Sequence, residues 1–155
     1  MLDHRKFSDI IKHRTDQFMK SFLYHLQINV SNAKVSIPFY VDLFTYLEYK
    51  IIGPWEDGMG AKNDSTDFWI FETKSKYKEN VFHRKATGLN HLAFKVESKE
   101  NVDKFCKEFL IPHNITPLYD SPKIFAEYRE DYYAVYFEDP DKIKLEVLYF
   151  ASPND

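Results

Sequence analysis

The sequence predicts an α+β fold in which two βαβββ modules pair into a curved mixed sheet around a cleft, with an additional helix at the N-terminus. The first observation is a repeat: residues 23–30, LYHLQINV, and residues 89–96, LNHLAFKV, follow one pattern 66 positions apart. The second is that a helical pattern follows each copy in the same register, so that Phe39 and Phe105 are equivalent. The third is that strand-like segments complete each half.

The composition narrows the class of protein. A chain of 155 residues with 44% hydrophobic and 17% aromatic residues can bury a sizeable core in one domain. The formal net charge of −3 gives no electrostatic reason to expect nucleic acid or an anionic membrane as a partner. The single cysteine, Cys106, excludes an internal disulfide and a cysteine-based zinc site. No signal peptide or membrane-spanning run is recognisable, so we expect a cytoplasmic protein.

Residues 1–22 lie outside the repeat and predict an amphipathic helical extension. Its apolar residues recur close to the i, i+3, i+4 spacing of one helical stripe: Phe7, Ile10, Ile11, Phe18, Met19 and Phe22. We expect this extension to cap the fold or to pack against a partner subunit.

Each repeat strand is predicted to have one core face and one polar face, because successive side chains of a strand point to opposite sides. In the first copy, a core face is opposed by a polar one: Leu26, Ile28 and Val30 against His25, Gln27 and Asn29. The second copy follows the same alternation: Leu92, Phe94 and Val96 against His91, Ala93 and Lys95. Each copy therefore places a histidine on the face that points away from the core.

The remaining elements define the domain boundaries. Helix-start residues follow each strand, Ser31-Asn32 in the first half and Ser98 in the second. Further strands are predicted at 46–53 and 66–73, with 55–65 as a loop, and then at 116–119, 132–138 and 144–150. We therefore divide the chain into a first module at 23–86, a second module at 87–150 and a tail at 151–155, with both modules in one domain.

Glu146 is the third member of a candidate ligand set. It is a carboxylate inside the otherwise apolar last strand, where an unpaired charge is costly, so it needs a partner. His25 and His91 supply two imidazoles from cleft-facing positions. Two imidazoles and a carboxylate, with positions left for water or substrate, are a usual set for a catalytic divalent metal. The cleft is therefore predicted to bind a divalent metal. The ligand types suit Zn, Ni, Mn, Fe and Co alike and do not determine which of them binds.

Three motifs resemble the glyoxalase / bleomycin-resistance / extradiol-dioxygenase superfamily, also called vicinal oxygen chelate proteins. They are LYHL at 23–26, GLNHLAF at 88–94 and VYFEDPDKIKLEV at 135–147. The resemblance implies paired βαβββ modules around a metal cleft, often in a homodimer, with three ligands: His25, His91 and Glu146. In such proteins the metal chelates neighbouring substrate oxygens and stabilises an enolate or oxyanion as it forms.

The sequence leaves a fourth ligand open. Members of the glyoxalase I type add a Glu or Gln on the last strand of the first half, where this chain offers Glu72, which would then be catalytic alongside Glu146. Glu146 lies 55 residues after His91, whereas Glu72 lies 47 after His25. Loop differences absorb this mismatch, so Ile70 on the same face is the alternative occupant. The site would then have three ligands, as in fosfomycin-resistance transferases and dioxygenases.

Six further residues are predicted to contact the substrate. Three share the ligands' face by strand alternation: Gln27, Lys95 and Lys144. Two tyrosines of the strand near 132–136 would form a wall of the cleft, and an arginine before that strand would clamp an anion or form a lid: Tyr133, Tyr136 and Arg129.

The predicted function is that of a divalent-metal enzyme acting on a small molecule with adjacent oxygens. It would use lyase or isomerase chemistry of the glyoxalase type, or add a thiol co-substrate to an electrophile. One alternative is an extradiol-type Fe(II) dioxygenase, for which the sequence shows no convincing acid/base residue. The other is a non-catalytic drug-binding protein of the bleomycin-resistance kind.

Overall fold

The computed structural model describes residues 20–80 and 82–151. The predicted N-terminal helix therefore lies outside the described residues except at 20–22, and so does the tail beyond residue 151. Within the described ranges, no helix combines the length and the apolar character needed to cross a bilayer.

The first module is a four-stranded sheet with one main helix. Its elements are β1 (His25–Val30), α1 (Ala33–Tyr46), β2 (Lys50–Ile52), β3 (Gly58–Lys62) and β4 (Asp67–Glu72), followed by a short 3-10 helix (Ser75–Tyr77). The strand order is β1-β4-β3-β2, with β1 parallel to β4 and the other pairs antiparallel. The helix begins where Asn32 Oδ1 accepts a hydrogen bond from the Lys34 amide at 3.0 Å, as the predicted start signal requires.

The second module repeats this plan. Its elements are β5 (His91–Lys95), α2 (Lys99–Phe105, continued by a π-helical turn, Cys106–Leu110), β6 (Leu118–Ile124), β7 (Tyr133–Glu138) and β8 (Lys144–Tyr149). The strand order is β5-β8-β7-β6, with β5 parallel to β8. The prediction of two βαβββ modules is therefore confirmed.

The loop predicted over 55–65 is wrong, because β3 lies there. The two glycines of this segment, Gly58 and Gly60, are typical of turns, but here they lie opposite Phe71 and Trp69 in a regular antiparallel pair. A Cβ atom at Gly58 would lie 2.3 Å from Phe71 Cδ1, and one at Gly60 would lie 2.8 Å from Trp69 Cζ3. The two glycines therefore serve close approach of aromatic rings to a strand, not a change of chain direction.

One hydrophobic core joins the modules through their helix-covered faces. The Phe94 ring of β5 lies 6.1 Å from the Phe44 ring of α1 and 5.7 Å from the Phe68 ring of β4. Tyr46 of α1 packs against Phe105 of α2 at 5.6 Å. The two sheets remain separate four-stranded sheets, and their outer faces lie outside this shared core. The shared curved sheet that the sequence predicts is therefore not closed within one chain.

The turn between β7 and β8 adds polar contacts between the modules. Buried Asp139 accepts a hydrogen bond from the Tyr40 hydroxyl of α1 at 2.8 Å. Asp141 accepts one from the Ser36 hydroxyl at 2.9 Å and one from the Ser31 amide at 3.1 Å. Burial raises the pKa of Asp139 to about 6. This turn therefore anchors the second module at the start of α1.

Candidate metal centre

The outer face of the second sheet brings His91 and Glu146 together. In the parallel pair of β5 and β8, Ala93 lies opposite Glu146 and His91 lies opposite Lys144. His91 Nε2 is 3.0 Å from Glu146 Oε2. The Glu146 side chain has no exposed surface, whereas the His91 side chain is 34% exposed. A buried carboxylate is thus joined to a ring that can be reached from outside.

Asn90 fixes the orientation and the tautomer of the His91 ring. The Asn90 side-chain nitrogen donates to the Arg84 carbonyl at 3.1 Å, so the side-chain oxygen is the atom 2.8 Å from His91 Nδ1. Because an amide oxygen only accepts, Nδ1 carries the hydrogen. In the neutral ring, the lone pair of Nε2 is then directed at Glu146. Metal-binding histidines are usually held in this way through the other ring nitrogen.

The two oxygens of the Glu146 carboxylate differ in their partners. Oε1 accepts a hydrogen bond from the Tyr132 hydroxyl at 2.8 Å. Oε2 receives no hydrogen bond from the described residues, although it lies 3.0 Å from His91 Nε2, because that nitrogen is itself an acceptor in the neutral ring. Two facing acceptors at this distance attract a cation, which is either a proton on the ring or a metal ion. Imidazole nitrogen and carboxylate oxygen suit divalent transition metals, so the residues present fit such an ion.

Two tyrosines cover the carboxylate. Tyr136 lies opposite Glu146 in the pairing of β7 and β8, and its ring centroid is 6.0 Å from that of His91. Burial raises the pKa of Tyr132 and of Tyr136, and the neighbouring Glu146 carboxylate raises both pKa values further. Both phenols therefore stay neutral, and Tyr132 donates to Glu146 Oε1. Sequence reasoning missed Tyr132 as a site residue, and the only signal for it was that a buried carboxylate needs a donor.

Both lysines predicted to contact the substrate, Lys144 and Lys95, lie on this outer face. Lys144 Nζ is 5.3 Å from the centroid of the Tyr136 ring and 5.7 Å from that of Tyr119. Lys95 Nζ is 4.4 Å from the centroid of the Phe150 ring. These lysines place positive charge beside the pair formed by histidine and glutamate.

Tyr133 and Arg129 face other partners. The Tyr133 side chain packs on the helix-covered side, and its hydroxyl donates to Asp103 Oδ1 at 2.8 Å. The predicted cleft wall at Tyr133 is therefore wrong. The Arg129 guanidinium donates to the Ala151 carbonyl at 2.7 Å and pairs with Asp131 at 2.6 Å. Arg129 therefore binds the C-terminal end of the second module. The prediction that it clamps an anion is wrong.

Glu72 lies on the opposite face from His25, and its prediction as a ligand is wrong. In the pairing of β1 and β4, Glu72 lies opposite Val30, which is fully buried. Its carboxylate accepts a hydrogen bond from the Ala33 amide at 2.8 Å, at the start of α1, and pairs with Lys78. The hydrogen bonds from Lys78 and from the Ala33 amide lower the pKa of Glu72. The alternative occupant, Ile70, also faces the core.

Trp69 is the counterpart of Glu146 in the first module. Gln27 lies opposite Trp69 in the first sheet, as Ala93 lies opposite Glu146 in the second. The first module therefore carries an indole where the second carries the Glu146 carboxylate. The position of the predicted fourth ligand is thus held by an indole, which leaves three candidate ligands.

His25 lies on the outer face of β1, exposed together with Gln27 and Asn29. Gln27 Nε2 donates to Asn29 Oδ1 at 3.3 Å. Across residues 20–80 and 82–151, no three His, Cys, Asp or Glu side chains come together in a way that could hold a metal ion. One chain therefore presents two candidate ligands on the second module and the third, apart from them, on the first.

Comparison with known proteins identifies relatives of similar length. No family model matches the chain. The uncharacterized protein YqjT of Bacillus subtilis is 35% identical over 126 residues, which cover 81% of this chain and 97% of that protein. The structure of a candidate glyoxalase from Bacillus halodurans has 35% identity and a TM-score of 0.76, and the match covers 84% of this chain and 97% of that one.

More distant structures share the fold. The fosfomycin resistance protein FosX of Listeria monocytogenes has 20% identity and a TM-score of 0.62, with 86% of this chain and 96% of that chain covered. A glyoxalase/bleomycin resistance protein from Albidiferax ferrireducens has 22% identity and a TM-score of 0.67, with 84% and 100% covered. Together with the paired βαβββ modules and the relatives that are 35% identical, these matches show that the chain belongs to the glyoxalase/bleomycin-resistance/dioxygenase superfamily, the vicinal oxygen chelate proteins.

Proposed function

We propose that this protein is a divalent-metal-dependent enzyme that acts on a small molecule with adjacent oxygen atoms. The observation that carries the proposal is Glu146 Oε2, which is buried 3.0 Å from His91 Nε2 and receives no hydrogen bond within residues 20–80 and 82–151. Such a pair is costly unless a cation lies between the atoms or the ring is protonated. Asn90 accepts a hydrogen bond from His91, and Tyr132 donates one to Glu146. Residues that bind the ligands of a metal site orient them in this way.

A second copy of the chain completes the site with His25 in this proposal. His25 takes the place in β1 that His91 takes in β5, and each of these strands lies at an edge of its sheet. An exposed edge strand favours pairing with another chain. The residues before β1 are apolar and exposed, with Phe22 at 89% and Tyr24 at 72% exposure. A two-fold homodimer that joins β1 of one copy to β5 of the other would form two equivalent sites.

The ligands and their neighbours have separate tasks. A bound divalent cation supplies Lewis-acid polarisation of the substrate oxygens. His25, His91 and Glu146 would hold it. Tyr132, as a neutral donor, holds the Glu146 carboxylate in place, and the Tyr136 ring covers it.

The remaining outer-face residues are available to the substrate. Lys144 and Lys95 would attract an anionic or oxygen-rich group, and Gln27 of the second copy would offer a hydrogen bond. We propose lyase or isomerase chemistry of the glyoxalase type, with addition of a thiol co-substrate to an electrophile as the related reaction. Both develop negative charge on a substrate oxygen, which the positive charge at this face stabilises.

Metal binding tests the proposal. We expect the purified protein, after loading with Zn, Ni, Mn, Fe or Co in turn, to retain about one ion per chain after dialysis for at least one of these metals. His91→Ala and Glu146→Gln should each lower the affinity about 100-fold or more, because each removes one ligand of three. The matched control is His83→Ala, an exposed histidine of the linker, which should bind as the parent does. Retention of no metal by the parent, or equal retention by all four proteins, would rule the proposal out.

A further inference from the structure

Three aromatic rings form a patch on the outer face of the first sheet, which we call the aromatic platform: Trp55, Trp69 and Phe71. The Trp55 ring is nearly parallel to both others, at 6.3 Å and 15° from Trp69 and at 6.4 Å and 3° from Phe71. Trp55 keeps 48% of its surface exposed. Large exposed aromatic surface of this kind marks interaction sites more often than ordinary protein surface.

The platform is built into the strands beneath it. Gly58 and Gly60 of β3 lie opposite Phe71 and Trp69, and a Cβ atom at either glycine would meet the facing ring at less than 3 Å. The rings can therefore approach the strand backbone only because those two positions lack side chains. The rings do not belong to the buried core of the module, because that core lies on the other side of the sheet.

The platform also lies in register with the metal ligands. Trp69 is opposite Gln27, two residues from His25 on the same face of β1. Two residues along a strand span roughly 7 Å. Trp69 occupies the position that Glu146 occupies in the second module. In the proposed dimer, the platform therefore forms an apolar wall about one ring diameter away from the third ligand.

We propose that the aromatic platform binds a planar aromatic or conjugated ring of the substrate. This inference rests on the proposed function, because that function makes the outer face of the first sheet one wall of the cleft. A ring stacks on Trp69 and Trp55 while the oxygen-bearing end of the same molecule faces His25 and the cation. The substrate class is thus a planar ring that carries adjacent oxygens or an anionic group at one end, as Lys144 on the opposite wall favours.

The chain offers a direct reporter, because its two tryptophans are both in the platform. The probe is 2-naphthoate, compared with decahydro-2-naphthoate, which has the same carbon skeleton and carboxylate but is not planar. We expect saturable quenching of tryptophan fluorescence by 2-naphthoate. Calorimetric titration should show at least about fivefold weaker binding of the saturated analogue, since stacking needs a planar π face.

Variants separate the platform from the rest of the cleft. Trp55→Leu and Trp69→Leu should each weaken 2-naphthoate binding at least about fivefold in the calorimeter, whereas Tyr77→Leu, an exposed aromatic of the 3-10 helix, should leave it unchanged. If Trp69→Leu does not fold, Trp55→Leu carries the test, since Trp55 is half exposed. Equal affinity for the two probes, or unchanged binding in the Trp55→Leu variant, overturns the inference. A Trp55→Leu variant that becomes monomeric but binds 2-naphthoate with unchanged affinity also overturns the inference, because the platform is then a contact between two copies of the chain.

The metal-retention measurement on the parent and the His91→Ala variant, combined with the 2-naphthoate titration, distinguishes this inference from the proposed function. If the parent binds no divalent metal yet 2-naphthoate binding still depends on Trp55 and Trp69, the metal proposal fails and the platform stands. If the parent binds metal through His91 but does not discriminate between the two probes, the platform inference fails alone.

Discussion

The two modules share strand order, pairing and the position of one histidine, yet their outer faces carry different chemistry. In the second module, His91 meets buried Glu146, and Tyr132 donates a hydrogen bond to one oxygen of the carboxylate. In the first module, His25 has Trp69 in the place of that carboxylate. The difference shows that two copies of one fold can carry different outer faces, and in the proposed site one copy would supply two ligands and the other one ligand and an apolar wall.

The outer faces also differ in how they are covered. In the second sheet, Phe125, Tyr132 and Phe150 pack over the outer face beside Glu146, so that the carboxylate has no contact with solvent. In the first sheet, His25 and the residues beside it are exposed. The first module therefore has the face that is open to a partner or a ligand, and the second has the enclosed charge.

The contact that joins the two modules should give the largest effect. Asp139 has its pKa raised by burial from 3.8 to about 6, so the folded state holds this proton more tightly than the unfolded state. Its contribution to stability is therefore greatest below about pH 4 and is lost as pH rises to about 6. The shift corresponds to about 3 kcal/mol as an upper estimate. Asp139→Asn mimics the protonated acid, so unfolding curves at pH 4 to 7 should show the parent losing stability relative to this variant.

The control for this prediction is Asp141→Asn, because Asp141 contacts the same helix from the same turn but is only partly buried. A stability difference between parent and Asp139→Asn that stays constant from pH 4 to 7 would contradict the role given to buried Asp139.

The enclosed charge of the second module predicts the next effect. Tyr132→Phe removes the donor to Glu146 Oε1 and leaves the fold of the sheet unchanged. Loss of an outer-shell partner of this kind typically lowers metal affinity about 10–100-fold. Competition with a chromogenic chelator measures it. Tyr128→Phe, an exposed tyrosine of the same turn, is the matched control, and equal metal affinity in both variants would show that Glu146 does not depend on Tyr132.

Glu72, the carboxylate at the end of β4, should give the smallest effect on the site. Glu72→Ala removes the acceptor at the start of α1 and the pairing with Lys78, so the thermal midpoint should fall modestly. Metal content and metal affinity should not change, because Glu72 faces away from His25. A loss of bound metal without a loss of stability would return Glu72 to the ligand set.

The sequence predicted those parts of the fold and site that depend on local periodicity. The alternation around His25 and His91 is confirmed, and Glu146 is buried as expected for a carboxylate in an apolar strand. The error at Glu72 arises because the face of a residue relative to a distant strand depends on the pairing register, and a shift of one position reverses it. The error at Tyr133 has a different cause, because Tyr133 and Tyr136 lie three positions apart on β7 and alternation alone places them on opposite faces.

Two further features depend on tertiary structure and could not be read from the chain. The glycines of β3 look like turn residues until the facing rings of Phe71 and Trp69 are known. The modules pack through α1 and α2 by aromatic contacts between helices. For that reason the sequence could propose three ligands but not show that they stay apart in the described part of one chain.

The metal content of a mixed dimer tests most directly whether the site is shared between two copies. His25→Ala and Glu146→Gln chains are co-expressed with different affinity tags, and the dimer carrying both tags is purified. Each homodimer should bind metal weakly. The mixed dimer should hold about one ion, against about two in the parent dimer, because His25 of the Glu146→Gln chain meets intact His91 and Glu146 of the other. A mixed dimer that binds no more metal than the homodimers, or a failure to recover any mixed dimer, would contradict a site built from both copies.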